Sequence, residues 1–141
     1  MILLDTNVVS EPMRQMPDRR VRDWLDAQVI ETLYLSTISL SELLLGIESL
    51  PAGKRRRTLA AALGRHIVSL FDGRIIPFDV AAAEAYAKVV TRARRQGHAI
   101  SVADGQIAAI AAARDLRVAS RDEMPFQAAG LAVINPWTAE F

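Results

Sequence analysis

The chain has 141 residues, with 17 Lys plus Arg against 16 Asp plus Glu, two His and no Cys. Its length is close to that of one ordinary domain, and the lack of Cys excludes disulfide scaffolds, thiol catalysis and zinc sites with thiolate ligands. A formal charge of +1 gives no global pull toward nucleic acid, while 51% hydrophobic but only 6% aromatic residues call for a core of Leu, Ile, Val and Ala.

Ile2 to Leu4 is a short apolar strand that stops at Asp5. After an irregular stretch through Pro17, Val21, Trp24, Leu25 and Val29 recur at helical spacing, and Leu33 to Thr37 reads as a second strand. Ser39 suits the cap of a helix carrying Leu40, Leu43, Leu44 and Ile47; Pro51 and Gly53 close it, and a longer Ala/Leu helix follows from Lys54 to near Phe71. Ile75 and Ile76 form a brief strand before Pro77, and residues from Ala81 to near Gln96 read as a helix ended by Gly97. Ser101 opens a helix whose Ile107, Ala108, Ile110 and Ala111 suit a sheet face, and Arg117 to Ala119 and Ala132 to Ile134 supply the last strands. Strands alternating with helices predict an α/β fold, one domain over residues 1–141, with a mainly parallel central sheet covered on both faces. The start MILLDTN lacks the basic and cleavage regions of a secretory signal. No apolar run reaches the roughly 18 residues of a membrane span, so the cytoplasm is the expected location.

In a parallel sheet, functional groups gather beyond the carboxyl ends of the strands. Asp5 directly follows the first strand and Asp122 the strand Arg117 to Ala119, while Glu42 and Asp104 are expected in the first turns of the helices opened by Ser39 and Ser101. Each acid also has a local explanation. SLSE and SVAD place Glu42 and Asp104 at capping-box positions, and Asp122 in SRDEMP suits a turn. Asn7 suits the cap of a short following helix, which leaves Asp5 without a structural role.

Convergence of the four acids gives them a shared chemistry. Two carboxylates about 4 Å apart repel by about 4 kcal/mol at an effective dielectric of about 20, so a cluster must retain protons or bind cations. With oxygen ligands alone, Mg²⁺ or Mn²⁺ fits better than zinc, and metal-assisted phosphodiester hydrolysis follows. Thr6, Asn7 and Ser120 are expected to orient water or the carboxylates. Two basic clusters, Lys54 to Arg57 and the group Arg92, Arg94 and Arg95, suit either contact with RNA phosphate or a solvated helix face.

Taken together, these motifs resemble the PIN-domain nucleases, and among them the VapC/FitB-type toxins of bacterial toxin–antitoxin pairs. The resemblance covers nearly the whole chain: MILLDTNVVSE with Asp5, STISLSELLLGI with Glu42, GHAISVADGQIAAIA with Asp104, and VASRDEMPF followed by GLAVINPW with Asp122. It implies a three-layer α/β/α sandwich, dimerisation, and Mg²⁺- or Mn²⁺-dependent endoribonuclease activity with Asp5, Glu42, Asp104 and Asp122 as catalytic and metal-binding residues. It also implies a small antitoxin whose carboxyl-terminal segment occludes the acidic pocket and through which DNA is contacted. One landmark departs. Many relatives carry another acid or His three positions beyond the counterpart of Asp122, where this chain has Pro125.

Three other functions compete. A receiver-type phosphorylation domain needs an adjacent acidic pair and a Lys near a late strand, whereas the only Lys residues are Lys54 and Lys88. A phosphatase with an Asp nucleophile needs an acid where Asn7 stands. A binding module, free or within a DNA complex, whose acids grip an Arg-bearing partner, predicts no change in RNA.

Overall fold

The computed structural model describes residues 1–140; Phe141, the last residue of the expected domain, lies outside them. One parallel sheet runs in the order β3-β2-β1-β4-β5, from β1 (Ile2–Leu4), β2 (Leu33–Ser36), β3 (Ile75–Ile76), β4 (Arg117–Ala119) and β5 (Val133–Ile134). Around it lie α1 (Thr6–Ser10), α2 (Arg19–Asp26), α3 (Thr37–Glu48), α4 (Lys54–Ala62), α5 (Val80–Arg95), α6 (Val102–Ala113) and α7 (Glu123–Ala128). The strands were legible to within a residue or two, and the expected parallel α/β fold is borne out.

Strand β1 is apolar at every position because it is central and covered on both faces. Side chains alternate across a strand, so Ile2 and Leu4 enter a core with Val8, Trp24, Leu43 and Phe71, while Leu3 enters a second core with Val90, Ile107, Ile110 and Phe126. Strand β4 divides in the same way, Val118 to one core and Ala119 to the other. Two cores on opposite faces make three layers: α1 to α4 on one side, α5 to α7 on the other.

Several local expectations need correction. Helix α2 ends at Asp26, and Val29 is exposed rather than continuing the apolar stripe. The helix begun at Lys54 passes into a π-helical stretch over Leu63–Val68. Asp122 begins more than a turn: it is the residue before α7, in which Pro125 is accommodated because a first-turn N–H has no intrahelical acceptor to lose.

On the far face, α5 and α6 pack closely enough that a Cβ on Gly105 would lie 2.9 Å from the Tyr86 ring and 3.0 Å from a Val90 methyl. Glycine at that position lets α6 approach α5. Asp104 is its immediate neighbour in α6.

Candidate active site

Strands β1 and β4 end side by side, with Leu4 opposite Ala119. The Asp5 N–H donates to the Ala119 carbonyl at 2.9 Å, which carries the ladder one residue past β1. Asp5 Oδ1 then accepts from the Thr6 N–H at 2.8 Å, and Oδ2 accepts from the Ser120 hydroxyl at 2.7 Å. Asp5 is therefore the cap of α1, a role expected of Asn7. Asn7 Oδ1 instead accepts from the Arg121 N–H at 3.4 Å and ties α1 to the loop beyond β4. Ser120 Oγ also accepts from the Asp122 N–H at 3.1 Å, so one buried hydroxyl links the first acid to the backbone of the last.

Glu42 does not occupy a first helical turn. Helix α3 starts at Thr37, with Ser36 rather than Ser39 as its cap, and Ser36 Oγ accepts from the Ser39 N–H at 3.0 Å. Glu42 thus falls in the second turn, where no free N–H remains for a capping box. Its Oε1 accepts from the Thr6 hydroxyl at 2.8 Å, which holds α3 and α1 together at the sheet edge. Asp104 lies where it was expected. Ser101 caps α6 and accepts from the Asp104 N–H at 3.1 Å.

Asp5, Thr6, Asn7, Ser10, Glu42 and Asp104 line one open cleft of about 290 Å³. Asp122 lies outside that lining, although its charge acts on Asp104. Among the described residues no three acidic or His side chains stand close enough, as they are set, to hold one ion between them. Nor does any of the four acids form an ion pair there.

Burial pushes the Asp5 carboxyl up to about 6, and the negative charges of Asp104 and Glu42 add to the rise against the hydrogen bonds from Ser120 and Thr6. Asp104 is raised too, first by burial and then by Asp122 and Glu42, with Ser101 and the positive charge of His98 pulling the other way. His98 escaped the sequence reading because a solitary His offers no metal-binding pair. Its signal was its place in GHAISVAD, the segment that delivers Asp104.

The basic residues divide. Arg92, Arg94 and Arg95 are all exposed on one helix, but only Arg92 lines a pocket with His98. Of the KRRR run, Arg56 pairs with Glu48 and Arg55 borders a cleft that shares Thr6, Ser10 and Glu42 with the acidic one.

The PIN domain family model matches residues 2–131. The chain belongs to the PIN-domain family. Among similar proteins, the VapC ribonuclease Y4jK of Sinorhizobium fredii is 50% identical over 137 residues, covering 97% of this chain and 98% of the relative. Toxin FitB of Neisseria gonorrhoeae is 49% identical over 137 residues, covering 97% and 99%. A chain in the structure of FitAB bound to a DNA fragment matches with a TM-score of 0.96 and 46% identity, over 100% of this chain and 99% of that one. The resemblance read from the motifs is thereby borne out.

Chemically, this PIN domain gathers hard oxygen donors from the end of β1, α3 and α6 around one cleft, and among the described residues none of them is held in an ion pair. Two of those donors hold their protons more tightly than free carboxylates do. That donor set fits a divalent ion of the Mg²⁺ or Mn²⁺ type, reached by carboxylates directly or through water.

Proposed function

We propose that this PIN domain is a divalent-metal-dependent endoribonuclease and the toxin of a toxin–antitoxin pair. The observation that carries the reading is the cleft lined by buried Asp5, half-buried Asp104 and exposed Glu42, none of which forms an ion pair among the described residues. Asp5, Glu42 and Asp104 would hold Mg²⁺ or Mn²⁺, with Asp122 adding a ligand from the far side. When bound, such an ion supplies Lewis-acid stabilisation of the charge that develops during phosphodiester hydrolysis.

The chain's own residues prepare that site. Ser120 and Thr6 fix both oxygens of Asp5, the Thr6 hydroxyl holds Glu42 beside it, and Ser101 sets the turn from which Asp104 projects. Positioning of this kind matters because a ligand free to rotate must be ordered again at each turnover.

The names of two similar proteins, a VapC ribonuclease and Toxin FitB, support an RNA substrate and a toxin's role. The FitAB–DNA structure supports an antitoxin partner through which DNA contact is made indirectly, within a homodimeric or larger assembly. No helix among the described residues is long and apolar enough to cross a membrane; with RNA as substrate, the proposed location is the cytoplasm.

The test is cleavage of a labelled RNA oligonucleotide by the purified chain with Mg²⁺ or Mn²⁺, with Asp104→Asn as the paired variant. Metal-dependent internal cleavage, lost in Asp104→Asn and in EDTA, is the expected result. Intact RNA with every divalent ion, while the chain still binds a partner through its acids, would return the binding-module reading.

A further inference from the structure

Beside the acidic cleft, between the carboxyl end of α5 and α7, lies a polar pocket of about 540 Å³ with Arg92, Gln96, His98, Met124 and Gln127 in its wall. Its size falls in the range of roughly 300–1,000 Å³ common for small-molecule sites. Two features tie it to the acids. The charge of His98 acts on Asp104, and Met124 stands in the first turn of α7, two residues after Asp122.

Arg92 is exposed, and its guanidinium lies over Gly130. Gly130 has a φ of +92°, and a Cβ there would lie 2.6 Å from the guanidinium carbon, so the guanidinium occupies room that only a glycine leaves. Among the described residues it forms no salt bridge. A cation in the last turn of α5 does offset the helix's terminal carbonyls, but Arg94 and Arg95 share that turn and neither borders the pocket.

We propose that this pocket is a nucleotide subsite, seating the RNA residue next to the scissile phosphate, with Arg92 and His98 donating to its phosphodiester and Gln96 and Gln127 facing its base. The assignment rests on the ribonuclease reading and deepens it. A guanidinium and an imidazole offer N–H donors to phosphate, two amides present both donors and acceptors to a base edge, and Met124 gives the base an apolar surface. Base preference would then arise at the amides, and affinity at Arg92.

The test uses the full chain with Arg92→Gln and Gln127→Ala, and Arg117→Gln, at the opposite edge of the sheet, as control. Steady-state cleavage with Mn²⁺ is paired with salt titrations of binding to the same oligonucleotide in Ca²⁺. For Arg92→Gln, KM should rise about tenfold with kcat within about twofold, and the slope of log affinity against log salt should fall by about 0.7, the value of one single-strand phosphate contact. Arg92→Lys should restore the slope, and Gln127→Ala should change the preference among bases without altering it. If Arg92→Gln does not fold, His98→Gln reads the same phosphate. Wild-type cleavage with KM and slope unchanged in the phosphate variants overturns the subsite and leaves the ribonuclease standing; a wild-type chain that neither binds nor cuts RNA overturns both.

Discussion

Replacing Asp5 by Asn removes a buried negative charge while nearly preserving its shape. Asn Oδ1 can keep the bond from the Thr6 N–H, and the amide Nδ2 can donate to the Ser120 hydroxyl, whose proton can turn to the Asp122 carbonyl at 3.3 Å. In the wild-type chain the folded carboxyl titrates near 6 against an unfolded value of 3.8, so the folded state binds its proton more tightly. Ionisation therefore costs stability. The cost is absent below about pH 4, grows between about pH 4 and 6, and is complete above that window. At about 1.36 kcal/mol per unit, the shift from 3.8 to about 6 amounts to about 3 kcal/mol. Asn escapes it, so Asp5→Asn in EDTA at pH 7.5 should melt roughly 10 °C above wild type, with the gap closing by pH 4. Mn²⁺ should raise the wild-type melting temperature and leave the variant's unchanged. RNA cleavage should fall by more than the roughly 10–100-fold typical of losing a ligand's hydrogen-bond partner. Thermal melts by circular dichroism across pH, with and without metal, read the first effects. A variant that melts below wild type by the same margin at every pH would refute the burial argument.

Two further substitutions test the surroundings of that charge. Ser120→Ala removes a buried donor that lowers the Asp5 carboxyl, so the acid limb of the Mn²⁺-dependent rate should move to higher pH. Urea unfolding should register a loss of about 1–3 kcal/mol for the same change. Gly105→Ala forces a methyl into the Tyr86 ring and Val90, and should cost about 1–3 kcal/mol in urea unfolding and lower cleavage by displacing Asp104.

The strands could be read from sequence because each is a short apolar run bounded by polar or turn residues, and Ile2 to Leu4 leads without a gap into Asp5. Ser101 and Asp104 were equally legible, since only one cap lies near that helix start. Glu42 was harder. Ser36 and Ser39 satisfy the same local rule three residues apart, and the choice is made by the end of β2, a tertiary fact that shifts Glu42 by a turn. Asp5 looked free of structural duty because a cap is sought in the polar residues after a strand, whereas here the strand's own successor serves. The Arg92, Arg94 and Arg95 cluster reads as one patch along the sequence, but helical rotation and the space at Gly130 single out Arg92. Nothing local signals that long-range contact.

Strand β1 is synthesised well before β4 yet pairs with it, and Asp5 is held by Ser120, 115 positions away in the chain. A nascent chain lacking that distal segment has neither the neighbouring strand nor the hydroxyl that orients its first acid. The acidic centre can therefore close only once Ser120 has been added to the chain. Products truncated before that point carry neither the β4 neighbour of β1 nor an assembled acidic centre.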